Sequence, residues 1–582
     1  MPIPGPTVST PLLQAHSAQS SYRTSRPTSP SHSPSASPSP APYGSTRPRP
    51  SLSPFRRRRR RTPPIHAFPA VLAVLLFAAV AFVAWDVSSI GRCYFKPLCR
   101  ILGDSAVSAE EIWWRNAGAY APWRSRGDGG GKKGLPRGCE IDQVNILHRH
   151  TARYPTSGAS KCMAESLSKL INREVITPRR HPELAFLART DLTMSGWQFD
   201  QLMDQGRKAA WRSGRDFAAL YRKLVRSSPG LFSRSAGGGR VVESAQYWLQ
   251  GAMDDPFNIL PRAELPAPNV TIPESDTSNN TLSVHSCPAY ETLDPAPGQL
   301  ERAALFPLLY PTRDRLNAAL RPNPPLTVPD IICLGDMCAY DSQAAGENWQ
   351  GWSRWCGVFS RAEWEIIGYL RDVQRYYEVG QGSTYGKTMG AGWINELIAR
   401  LTDSAPNDNT TTNRTLDADV STFPRGGERL FLDFSHDNEM IEILTAMNVI
   451  PQHRPLDTEQ LPPKRTYVLS NMIPFGAHLV VERIACDLGD WEPDPNAPTG
   501  PGNGDGDGDG ADDRQRDGKK DHVRIYLNDK LLHVDHISCK QSGLLEHGMC
   551  ELELFLETQS WAQNDVDWGV CTAKSGGPDV FE

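Results

Sequence analysis

Arg149-His150-Thr151-Ala152-Arg153-Tyr154-Pro155 follows, after His148, the apolar and β-prone run Val144-Asn145-Ile146-Leu147. That run reads as a buried strand, so the motif stands at a strand end. A histidine held between two arginines there suits phosphoryl chemistry. Arginine presents planar, permanently charged forks that match phosphoryl oxygens, and neighbouring cations disfavour imidazolium, which leaves His150 a free lone pair.

A second constellation lies far downstream. Arg429-Leu430-Phe431-Leu432-Asp433-Phe434 reads as another strand and runs into Ser435-His436-Asp437-Asn438. Met440, Leu444 and Met447 then recur at helical spacing, which puts His436 and Asp437 on a strand-to-helix turn. Ligands of open α/β sheets bind at such strand ends, and the following helix N-terminus adds positive potential suited to phosphate. A lone His-Asp dipeptide is otherwise a common surface turn or helix cap.

Taken in order, these motifs resemble the histidine acid phosphatases, in their fungal, basidiomycete-like phytase branch. The family signatures are R-H-G-x-R-x-P and H-D. Between and beyond them the likeness continues with Leu192-Thr193, Phe232-Ser233-Arg234-Ser235 followed by Arg240-Val241, and Trp393-Ile394-Asn395-Glu396-Leu397-Ile398-Ala399-Arg400-Leu401. It runs on through Asn413-Arg414-Thr415-Leu416-Asp417, Ile473-Pro474-Phe475-Gly476-Ala477 and Val523-Arg524-Ile525-Tyr526-Leu527-Asn528-Asp529. In all it covers roughly residues 93–575.

The resemblance implies a phosphoglycerate mutase-like α/β fold. A doubly wound sheet domain would comprise residues 93–190 and 325–582, with a helical cap inserted at 191–324. Within that insert Phe199, Leu202, Met203, Ala210, Phe217, Leu220, Tyr221 and Leu224 recur at near-helical spacing, mostly as core. His150 would be the nucleophile that forms a phosphohistidine. Arg149, Arg153, Arg234 and His436 would bind the phosphoryl oxygens, and Asp437 would protonate the leaving oxygen. An alkoxide leaves poorly without a proton, and a carboxyl facing a phosphate dianion has its pKa raised by like charge, so an acidic working pH follows. Positioning and electrostatics suffice, and no metal or cofactor is implied. The expected substrate is phytate or a wider range of small organic phosphates. The other reading is a membrane-anchored binding protein with a degraded site, motivated by Thr151, which stands where the family carries glycine. A β-branched residue there restricts the backbone dihedrals and approach that glycine permits.

The first 66 residues are dominated by Ser and Pro, with ten arginines and no Asp or Glu. They offer too little apolar surface to offset chain entropy and read as a disordered tail. Six arginines at 56–61 then precede residues 67–85, nineteen positions without a charge, which is long enough to span a bilayer. Signal peptides sit at the extreme N-terminus and have shorter cores. The arrangement reads as a signal anchor with the arginines cytosolic, giving a single-pass type II membrane protein whose remainder is lumenal or extracellular. Proteolytic release of that part is compatible with this.

All 12 cysteines follow the apolar segment, and no C-x-x-C pair occurs, which suggests disulfides rather than a metal site. The resemblance implies the pairs Cys139–Cys486, Cys287–Cys571, Cys338–Cys356 and Cys539–Cys550, with Cys93 and Cys99 as a local fifth. Cys162 and Cys333 are left over. Glycosylation sequons at Asn269, Asn279, Asn409 and Asn413 lie on the same side. Removing the ten tail charges from the net charge of -4 leaves the exported part at -14, which argues against nucleic acid as a partner and lets the arginine pocket focus anions. Asp505, Asp507 and Asp509 imitate the start of a calcium loop. Its twelfth position is Arg516 where a glutamate is needed, so residues 502–510 read as an inserted loop.

Overall fold

The computed structural model describes residues 109–127, 134–171, 180–188, 192–228, 230–275, 280–283, 287–346, 352–410, 414–487, 519–534, 537, 539 and 544–572. An eight-stranded mixed sheet organises them. Its strands are β1 Cys139–Arg149, β2 Phe232–Ala236, β3 Val270–Ile272, β4 Leu430–Ser435, β5 His478–Asp487, β6 Lys519–Leu527, β7 Lys530–Leu531 and β8 Met549–Glu551. Their order is β3-β2-β4-β1-β5-β6-β7, with β8 paired to β6.

β1, β2, β3 and β4 run parallel, whereas β5 to β8 add antiparallel strands beyond β1. The register joins Arg149 to Ser435 and Ser235 to Phe434. Parallel strands end on the same side, so the two motifs become neighbours although most of the chain separates them. β4 is buried along its whole length, and its Leu430, Phe431, Leu432 and Phe434 stabilise the sheet by about 1.5–3 kcal/mol each.

Helices α1 Ser157–Ile171, α2 Asp204–Leu220, α3 Gly239–Ala252, α4 Val328–Ala344, α5 Arg361–Glu378, α6 Ala391–Thr402 and α7 Asp437–Ala446 surround it. α2 and α3 meet backbone to backbone, because a Cβ at Gly214 would stand 1.9 Å from Trp248 O and one at Gly251 1.9 Å from Trp211 O. Trp248 packs on Phe217 of α2 and Phe434 of β4, at ring-centroid distances of 5.1 and 6.3 Å. α5 begins with a capping box of Ser360 and Glu363 and buries Trp364, Ile367, Leu370 and Val373.

Two expectations need correction. The interval 191–324 is not a helical cap throughout: β2 and β3 belong to the sheet, and α2 and α3 cover its face. These strands are five and three residues long, too short to stand out beside a long helical periodicity. The boundary near 325 likewise falls between packed helices, Tyr310–Leu320 and α4. The sheet itself is mixed, its parallel strands β1 to β4 being continued by antiparallel ones.

Of the five disulfides expected, the four within the described residues are formed, and Cys162 is bonded to Cys333. Asn269 and Asn409 are exposed. The tail, the 67–85 span, Cys93, Cys99, Asn279, Asn413 and the 502–510 loop lie outside the described residues. Among the described residues no helix is long and apolar enough to cross a membrane, and no His/Cys/Asp/Glu group could hold a metal ion.

Candidate active site

His150 leaves the end of β1 fully buried, with its N–H donating to Ser435 O at 3.0 Å, so the β1–β4 pairing itself places it. Its Nδ1 lies 3.0 Å from Thr151 O. A carbonyl only accepts, so Nδ1 carries the proton and Nε2 holds the lone pair. Nε2 is buried and has no hydrogen-bond partner. Burial, followed by the positive charges of Arg149, Arg153 and Arg240, holds the imidazole well below its ordinary pKa. The ring is therefore neutral at acidic pH, with a nucleophilic nitrogen free.

Arg149 is anchored by donating Nη1 to Ile473 O at 2.6 Å and to Ala119 O, and Nη2 to Asp437 Oδ2 at 3.1 Å. Burial pushes its pKa down to about 10, which still leaves it charged. Arg153 donates to Tyr154 O at 3.0 Å. The ring of Phe475 lies beneath both guanidinium groups, 4.6 Å from Arg149 and 5.8 Å from Arg153.

From β4, His436 caps α7 and Asp437 begins it. His436 Nδ1 faces Arg240 Nη2 at 3.2 Å, so it accepts, and Nε2 donates to Glu274 Oε1. Burial favours a neutral Asp437, but the guanidinium groups of Arg149, Arg375 and Arg153 outweigh it and hold the carboxyl well below the usual range. Arg375 of α5 is itself paired with Glu378 at 2.6 Å.

The structure brings His150, Arg149, Arg153, His436 and Asp437 together, but not Arg234. On β2, Arg234 points away from this cluster and donates four hydrogen bonds to Asp433 and Glu396, including Nε to Asp433 Oδ1 at 2.8 Å and Nη1 to Glu396 Oε1 at 3.0 Å. Arg400 also clamps Asp433, at 2.9 and 3.2 Å. Arg234 is 2% exposed, and its charge is neutralised inside the fold.

Its place is taken by Arg240, in the first turn of α3 after the Gly237-Gly238-Gly239 turn. Arg240 touches His436, acts electrostatically on His150, and pairs with Asp200 at 3.0 Å. The signal was present in the sequence: a glycine-rich turn after a strand, with an arginine at the start of the next helix, is an anion-binding pattern. Glu274, Arg375 and Phe475 carry no comparable local signal.

A cavity of 820 Å³ adjoins this cluster. It shares Thr151, Phe475 and Gly476 with the site's wall, but none of His150, Arg149, Arg153, Arg240, His436 and Asp437 lines it. The chemistry is on the other side of the turn.

Residues 140–528 match the model of the histidine phosphatase superfamily, branch 2. The chain is 31% identical over 469 residues to Phytase A of Emericella nidulans, covering 80% of this chain and 91% of that one. It is 31% identical over 481 residues to Phytase A of Aspergillus fumigatus, covering 81% and 92%. In fold it is similar to the phytase from D. castellii, with a TM-score of 0.57 and 20% identity, covering 80% of this chain and 88% of that one.

Proposed function

Given that this chain belongs to branch 2 of the histidine phosphatase superfamily and is a phosphomonoester hydrolase, we propose that it works through a phosphohistidine on His150, with phytate among its substrates. The observation that carries this reading is His150 Nε2, buried and without a hydrogen-bond partner, among Arg149, Arg153 and Arg240.

In the first step Nε2 forms a bond to phosphorus while the P–O bond to the alcohol breaks. The electron pair goes to the leaving oxygen, which takes the Asp437 proton. In the second step water attacks the phosphohistidine and gives a proton to the Asp437 carboxylate. The P–N bond breaks, returning the lone pair to Nε2. Arg149, Arg153, Arg240 and His436 stabilise the equatorial oxygens. In the ligand-free protein Asp437 is ionised, so the proton for the leaving group must enter with the substrate complex. A bound phosphate supplies like charge next to Asp437 and competes for Arg149, which raises the carboxyl's pKa. Turnover is therefore acidic.

The name Phytase A shared by the relatives supports inositol phosphates as the substrate class. The finer placement rests on sequence: residues 1–66 cytosolic, 67–85 a type II anchor, and the catalytic part lumenal or extracellular. The test of the chemistry is rapid quenching during turnover of a labelled phosphomonoester. Acid-labile, alkali-stable label should appear on His150 and vanish in a folded His150→Ala variant, with turnover abolished. Label on another residue overturns the assignment.

A further inference from the structure

Thr151 replaces the glycine of the family motif, yet its backbone does not need glycine, because its φ is not positive. Its contacts are specific. Ser244 on α3 donates its hydroxyl proton to Arg240 O at 2.7 Å, so toward Thr151 its oxygen can only accept. It accepts the Thr151 N–H at 3.1 Å and the Thr151 Oγ1–H at 3.3 Å. Thr151 O receives Nδ1–H of His150. Thus one residue holds the nucleophile's ring through its carbonyl, and the first turn of the Arg240 helix through its amide and hydroxyl. Its methyl packs toward Gly476, where a Cβ would lie 3.3 Å away, and the Gly476 N–H donates to His150 O at 3.1 Å. Thr151 and Ser244 are both buried.

We propose that Thr151 is a positioning residue that keeps the Arg240 guanidinium in register with the His150 imidazole, through a hydroxyl bond to Ser244 that glycine cannot make. This rests on the phosphohistidine reading above, but it is tested by phosphate affinity, which requires no turnover.

Inorganic phosphate is titrated calorimetrically into the full-length protein and its variants at about pH 5. Thr151→Val keeps the shape and loses only the hydroxyl. It should weaken phosphate binding roughly threefold to tenfold, the span of one ordinary hydrogen bond, with an unchanged melting temperature. Thr151→Ser should restore binding. Thr151→Val combined with Ser244→Ala should bind no more weakly than Ser244→Ala alone, because both changes break one link. Wild-type affinity in Thr151→Val, or additive losses in the double variant, overturns the proposal. Absence of phosphohistidine with these affinity changes intact would instead count against the chemistry and leave Thr151's role standing.

Discussion

Asp437 Oδ2 lies 3.1 Å from Arg149 Nη2, so the residue proposed as proton donor is held ionised by a residue proposed to bind phosphate. A phosphoryl group that draws Arg149 toward its oxygens loosens the hold on Asp437. Substrate binding and protonation of the acid are therefore coupled through one guanidinium.

Asp437→Asn should consequently damage alkyl phosphates far more than aryl ones. An inositol alkoxide must be protonated as it departs, whereas nitrophenolate leaves unaided. Loss of a general acid costs on the order of a hundredfold to ten-thousandfold on phytate. Equal kcat losses on phytate and p-nitrophenyl phosphate, in a variant that still forms the phosphoenzyme, would place the acid elsewhere.

Arg234 on β2 and Arg240 beyond it should fail in different ways. Arg240→Ala is expected to raise KM and weaken phosphate inhibition in a folded protein. Arg234→Ala leaves Asp433 and Glu396 with an uncompensated buried charge, and should cost about 3–5 kcal/mol of stability. Chemical denaturation and steady-state kinetics on both variants decide the matter. A stable Arg234→Ala protein with a selective KM defect would reverse the two roles.

Glu439 and Glu442 on α7 are buried, and their carboxyls share a hydrogen bond that requires a proton. Burial first, and mutual repulsion for Glu439, raise both well above the ordinary value. A raised folded pKa gives stability that is fully present below about pH 4.3, the unfolded value, and lost as pH rises through the folded pKa. Melting temperature should therefore fall as pH rises above about 4.3, and Glu442→Gln should flatten that fall. Parallel slopes for both proteins would refute the link.

Membrane topology is open to a direct experiment. Protease added to sealed microsomes should remove only the N-terminal tail if residues 67–85 anchor the chain with the arginines outside the vesicle. Digestion of the bulk of the chain would reverse the orientation.

Much of the site is legible locally because each motif is contiguous. Arg149, His150 and Arg153 sit on one strand end, and His436 and Asp437 on one strand-to-helix turn. The order of these elements also places the charged groups on the carboxyl side of a sheet. Pairing of Cys162 with Cys333 was not legible, since it joins α1 to α4 and depends on how those helices pack.

By itself, then, the amino-acid sequence determined the strand-end motif carrying His150, the strand-to-helix turn carrying Asp437 and the α/β class, since strand, turn and helix grammar act over a few neighbouring residues. Tertiary structure alone decided between Arg234 and Arg240. Their separation along the chain says nothing about facing, but the β2–β4 register sets Arg234 against Asp433, and α6 supplies Glu396 and Arg400 to that side. A buried guanidinium surrounded by carboxylates is already neutralised. The arginine beyond the glycine turn, at a helix start beside His436, is the one that the fold leaves facing the nucleophile.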